Sequence, residues 1–156
     1  MRNSCLVGTF ALLVACKHQP PPPAEAVAPE QLCTDPKYDS HDDPATAKEA
    51  MHRVAVEGTL DISRATVVLC SQWSCDIDLR YGAGSAARSL GLHVKLGDDA
   101  NEMKALPDGF SEKDLVVHAG DGRTLGVGAK VRVTGYRIGT SKGACGLTDV
   151  DGIEAL

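Results

Sequence analysis

A strict alternation from Arg53 to Ile62 confines this part of the chain to a sheet. Val54, Val56, Gly58, Leu60 and Ile62 alternate with Arg53, Ala55, Glu57, Thr59 and Asp61, the pattern of a strand with one face buried and the other wet. Cys75, Ile77, Leu79 and Tyr81 alternate in the same way with Asp76, Asp78 and Arg80. Leu92, Val94 and Leu96 do so with His93 and Lys95. Further strands are predicted over 66–70, 115–119 and 127–136, and within the closing stretch 147–156, where Val150 and Ile153 are the inward residues. Ser71 to Ser74, Gly82 to Ser85 and Gly120-Asp121-Gly122 supply the turns. Aromatic residues are only 4% of the chain, so the core must be built from Val, Leu, Ile and Ala. Helices are predicted at two places. Asp43 and Pro44 suit the cap and first position of one, with Ala47, Ala50 and Met51 on its apolar side. Asp99-x-x-Glu102 reads as a capping box for the other, which would carry Met103 and Leu106 until Pro107 stops it. Its positive end would account for the adjacent acids Asp98 and Asp99. The expected fold is mainly β, with one or two short helices.

The N-terminus has a different origin. Arg2 precedes an apolar run from Cys5 to Ala15, too short for a permanent span, which needs ~20 apolar residues, and shaped like a secretory signal. The run ends in Leu13-Val14-Ala15-Cys16, which resembles the lipobox of bacterial lipoproteins. That resemblance implies removal of residues 1–15 and acylation of Cys16, whose fatty chains anchor the mature protein permanently to a membrane. With Lys17 in place of an aspartate at the next position, the resemblance implies sorting to the outer membrane, facing the periplasm. Residues 16–32 then form a lipidated linker. Gln19 to Glu30 is rich in Pro and Ala, with Pro20 to Pro23 consecutive, and such a run acts as an extended, disordered spacer. Residues 33–156 are the expected domain.

Export also orders the cysteines. Of six in the chain, Cys5 leaves with the signal and Cys16 is lipidated, so Cys33, Cys70, Cys75 and Cys145 remain. An even number in an oxidising compartment reads as two disulfides; a zinc site is the competing reading, weakened by the wide Cys70–Cys75 spacing and the lack of a second pair. Cys70–Cys75 across a hairpin and Cys33–Cys145, tying the N-terminal segment to the last loop, is the favoured arrangement of the three that four cysteines allow.

The glycine-punctuated first strand and the run Gly126 to Tyr136, of the form Val-Gly-x-x-Val-x-Val-x-Gly, resemble an OB-fold barrel, as does the sequence Asp149 to Glu154. The resemblance covers residues 52–156 and implies a small five-stranded barrel in which Val131 and Val133 fill the interior and Gly135 permits the closing bend. It implies architecture, not activity.

Several classes of function lack support. A net charge of -5 disfavours nucleic acid, whose backbone demands a basic surface; Arg80, His93 and Lys95 on the middle strands stand beside Asp76 and Asp78, with Tyr81 the one aromatic among them. No nucleophile elbow, zinc-protease helix or phosphate loop occurs, so an enzyme is not expected and no cofactor is called for. Asp35, Asp39, Asp42 and Asp43 surround His41, but without the spacing of a calcium loop they read as a solvated acidic loop rather than a metal site. His41, His93 and His118 lie in separate segments. Trp73 stands in a predicted turn, where it either projects as a contact residue or folds back over the neighbouring cysteines. Lys130, Arg132 and Tyr136 share the outward face of one strand, a second candidate contact surface. The expectation is a cell-envelope binding or adaptor module contacting a protein, a glycan or a small ligand. A purely architectural lipoprotein is the alternative, and an envelope hydrolase is third.

Overall fold

The computed structural model describes residues 20–35, 38, 52–62, 70–139 and 145–156. Expectations about the signal peptide, Cys16, the helix after Asp43, most of the strand at 66–70, and the acids beyond Asp35 lie outside these residues.

Long alternating segments form long strands. β2 (Arg53–Asp61), β3 (Ser74–Tyr81), β4 (Arg88–Lys95), β7 (Lys130–Gly139) and β8 (Cys145–Ala155) follow in order, after a short β1 (Glu25–Ala26) and the helix α1 (Pro29–Thr34). The hydrogen-bonded order is β1-β2-β3-β4-β8-β7, with β2 also pairing to β7. That last pairing closes the sheet. β2 runs antiparallel to β7 over seven residue pairs, from Arg53↔Tyr136 to Thr59↔Lys130, and antiparallel to β3 from Thr59 onward. One long, coiled strand thus serves two neighbours, and no edge of the barrel is left open. β4 and β8 meet in parallel at Gly91↔Gly146 and Leu92↔Leu147. The result is a mainly β, OB-like five-stranded barrel.

The inward residues are those the alternation selects. Val54, Val56, Leu60, Leu79, Leu90, Leu92, Val94, Val131, Val133, Leu147 and Ile153 are fully buried, and each large aliphatic side chain so placed contributes ~1.5–3 kcal/mol. Gly58 lies where β2 changes partner. A Cβ there would sit 2.7 Å from the carbonyl oxygen of Arg80 and 2.6 Å from Leu79 Cγ, so only glycine permits this crossing. Gly135 faces an irregularity in β8, since Thr134 pairs with Gly152 while Tyr136 pairs with Thr148. The extra residues form a bulge with Asp149 at φ 45°. A side chain at Gly135 would meet the Thr148 carbonyl oxygen at 2.9 Å.

Each end of the barrel has its own cover. At the end holding the start of β2 and of β8, residues 25–34 pack onto the barrel, although the sequence reading placed most of them in an extended spacer. Glu25 and Ala26 pair with Val54 and Ala55, α1 buries Leu32 completely, and Tyr38 is 3% exposed. Cys33 is bonded to Cys145 with Cα atoms 5.5 Å apart. The Arg137 side chain, 8% exposed, donates to the carbonyls of Leu32 (3.0 Å) and Tyr38. A guanidinium buried against main-chain carbonyls near the end of a short helix satisfies its donors and the helix's orphan acceptors together. Packing onto the barrel therefore begins upstream of Cys33, because three apolar side chains and a buried arginine offset the cost of ordering this strap.

The opposite end is covered by residues 96–129, which include the hairpin of β5 (Val117–His118) and β6 (Thr124–Leu125). The helix expected after Asp99 does not form. Asp99 N–H does donate to Glu102 Oε2 (3.1 Å), half of a capping box, but Asn101 takes φ 65° and Met103 bridges Leu96 and Val117. Strand pairing buries Met103 completely, which a single amphipathic turn could not do, and tertiary packing overrides the local signal. Asp98 and Asp99 therefore lie in a bend, not at a helix start. Asn101 Oδ1 accepts the N–H of Ile153 (2.7 Å) and so fastens this cover to β8.

Two carboxylates in the cover lie below the ordinary value of 3.8. Asp114 is lowered by the backbone N–H and then the hydroxyl of Ser111; Asp121 is lowered by the backbone N–H and then the side chain of Arg123. A depressed carboxylate stabilises the fold above its unfolded pKa, and that contribution is lost as pH falls through the lower folded value. Hydrogen exchange at the Ser111 and Arg123 amides, corrected for intrinsic rate, should be constant between about pH 7 and 5 and lose protection below about pH 4. Constant protection down to pH 2 would contradict these bonds.

Candidate functional site

Residues 70–75, at the entry to β3, are short of freedom. Cys70 and Cys75 are bonded, with Cα atoms 4.1 Å apart, and Ser71 organises the residues between them. Its Oγ accepts the N–H groups of Trp73 (3.0 Å) and Ser74 (3.1 Å), and its own N–H donates to the Ser74 carbonyl (2.8 Å). Trp73 in turn offers its carbonyl to the N–H of Leu96 at the end of β4 (2.8 Å). The backbone on both sides of Trp73 is held, yet its side chain is 72% exposed. Of the two positions the sequence left open for this residue, the structure adopts the projecting one. An indole held out on a fixed backbone binds with little ordering cost, and tryptophan is among the residues enriched where interface energy concentrates. Phe110 and Leu156 are the other large apolar residues exposed among the described ones, at 37% and 58%.

Lys130, Arg132 and Tyr136 on β7 have different surroundings. Arg132 is committed to a cross-strand ladder, with Nη2 2.6 Å from Glu57 Oε1 and Nη1 3.6 Å from Glu154. These three residues are directly opposed in the register of β2, β7 and β8. The Glu57 carboxylate raises the Arg132 pKa through this bond, so the guanidinium stays charged and paired. Tyr136, half-buried, borders a separate open cleft of about 500 Å³ with Lys95, Asn101, Glu102, Asp149 and Asp151. Asp151 is itself held by Arg53 in a two-pronged pair at 2.8 and 3.0 Å. Lys130 remains exposed. The cleft is polar and shallow.

The outer face of β3 and β4, which OB-folds use for oligonucleotides and sugars, carries Asp76, Asp78, Arg80, Ser89, His93 and Lys95. His93 Nδ1 is 2.7 Å from Asp76 Oδ1. No aromatic side chain stands on this face to stack a base, since Tyr81 is buried. His118 Nε2 is buried without a hydrogen-bond partner, 3.8 Å from the Asp98 carboxylate. Among the described residues, no three His, Cys, Asp or Glu side chains gather to hold a metal ion, and no helix is long and apolar enough to cross a membrane. No protein-family model, curated protein or solved structure matches this chain, so any function must be argued from the geometry.

Sequence reasoning missed Arg137 and Asn101. The first was legible, because it continues the inward series Val131, Val133, Gly135 on one strand. The second had no local signal, since its role depends on Ile153, 52 residues away.

Proposed function

We propose that this chain is an exported lipoprotein, anchored through Cys16 in the outer membrane, whose barrel is a binding or adaptor module of the cell envelope. The observation that carries the reading is Trp73, a large apolar side chain held in water by a disulfide-tied loop. Isolated apolar residues on a surface are ordinary, but a protein does not gain stability by locking the main chain around one. The arrangement makes sense as pre-organisation for a contact. The open, shallow clefts favour a partner that lies on the surface over a small molecule enclosed by it.

Two variants test the two halves of the proposal. Cys16→Ser should abolish incorporation of labelled fatty acid; equal labelling of the variant would remove the anchor. Trp73→Ala should remain anchored and folded while recovery of its partner from cross-linked envelopes falls about 30-fold, the equivalent of a contact worth ~2 kcal/mol. Unchanged recovery would remove Trp73 from the interface.

A further inference from the structure

The two ends of the barrel differ in two independent respects. The strap, and with it the chain's route to Cys16, belongs to one end. Pro22 offers its carbonyl to Arg53 Nη1 (2.7 Å), which leaves five residues of sequence between Cys16 and this bond, a span of at most about 18 Å at ~3.6 Å per residue. The other end carries Trp73 before the start of β3 and Leu156 after the end of β8, whose N–H is bonded to Lys130 at the start of β7 (3.0 Å). Phe110 lies in the cover at that same end. The three large exposed apolar residues thus all lie outside the strap. The cover is also acidic. Residues 96–129 hold seven acids (Asp98, Asp99, Glu102, Asp108, Glu112, Asp114, Asp121) against Lys104, Lys113 and Arg123, a net charge of -4.

We infer that the end opposite the strap is a docking face for a protein whose contact surface is basic, and that the short tether presents this face away from the lipid. The inference rests on the lipoprotein binding module proposed above. β8 spans 11 residues, ~35 Å along the strand and less along the axis of a tilted barrel. A tether shorter than the barrel keeps the strap end near the bilayer and puts Trp73 on the far side. An acidic end is repelled by the negative surface of an anionic membrane, which argues against Trp73 acting as an interfacial anchor. It is attracted to a basic protein, where charge complementarity speeds encounter and excludes wrong partners. Trp73 then supplies the desolvated contact at the centre and the acids the rim.

Photo-cross-linking of the acylated protein in intact envelopes tests this, with the photoreactive residue replacing exposed Gln72 beside an intact Trp73 or, at the strap end, exposed Ser89 on β4. The expected product forms from position 72, joins a protein through a Lys- and Arg-rich segment, and falls at least ~tenfold in the variant Asp99→Lys with Asp108→Lys, two exposed sites. Cross-links to lipid, or a product insensitive to the charge reversal, overturn the inference. A protein captured from position 89 but not from 72 overturns it while leaving the binding module standing. No protein captured from either position retires both. Trp73 is the chain's one tryptophan, so its fluorescence gives a second measurement on the unaltered protein. In vesicles of phosphatidylethanolamine and phosphatidylglycerol, acrylamide should quench it strongly and brominated lipid not at all. Quenching by brominated lipid would place this end on the membrane and overturn the inference.

Discussion

Replacing Cys33 and Cys145 together by serine should lower the stability of the domain by about 4–5 kcal/mol, the largest effect expected of any change outside the core. The bond joins residues 112 apart in sequence. Closing a loop of that size removes a large number of unfolded conformations, and the chain-entropy relation gives roughly 4.8 kcal/mol for it. Cys70 and Cys75 are 5 residues apart, for which the same relation gives only ~2 kcal/mol. Urea unfolding of the two double-serine variants, compared with the parent at equal pH, measures the difference directly. The long-range variant should lose about twice as much free energy as the short-range one. Its strap should also loosen, since Arg137 and the β1–β2 pairing would then hold α1 alone. This should appear as faster amide exchange at Leu32 and Asp35, whose N–H groups are bonded within the strap. Equal losses from the two variants would mean that the strap, not loop entropy, governs the effect.

Gly58→Val should cost at least about 3 kcal/mol, at or above the usual range for overpacking. The new Cβ would press on the Arg80 carbonyl oxygen at 2.7 Å, a main-chain atom fixed by the β2–β3 pairing. A flexible side chain could yield, but a strand cannot move without opening the barrel seam. Gly91 supplies the control. A Cβ there has only the Cys145 carbonyl oxygen nearby, at 3.9 Å, so Gly91→Ala should change stability by less than about 1 kcal/mol. Thermal unfolding of both variants suffices; a Gly58→Val protein as stable as the parent would mean that β2 does not cross between its neighbours as described.

Much of this barrel was readable from local chemistry. The alternation of Val54 to Ile62, of Cys75 to Tyr81 and of Leu92 to Leu96 marked both the strands and their inward faces, because the side-chain period of a strand is two wherever one face is buried. The bend at Gly135 came from the OB-fold resemblance, and the structure brings the Thr148 carbonyl oxygen within 2.9 Å of where its side chain would stand. The predicted turn at Trp73 was also legible, but not the direction of its side chain. That depends on Ser71 holding the loop and on Leu96 bonding the Trp73 carbonyl, and Leu96 belongs to another strand.

The failures have one cause. The segment after Asp99 carries a helix-start signal worth ~1 kcal/mol, while burying Met103 between Leu96 and Val117 is worth ~1.5–3 kcal/mol. Residues 25–34 have the composition of a spacer, yet Leu32 is completely buried in the same core as the strands. The pairing of Arg132 with Glu57 and Glu154 was likewise invisible locally, because they come from strands far apart in sequence.

The sequence by itself determined where strands run, which face of each is apolar, and that four cysteines stand in the domain region, since these follow from residue type and spacing alone. The tertiary structure decided how β2 is shared between β3 and β7, that the strap covers one end, which charges are spent on each other, and that Trp73 is left in water. Those outcomes depend on contacts between residues distant in the chain, whose energies exceed any local preference and leave no trace in the residues beside them.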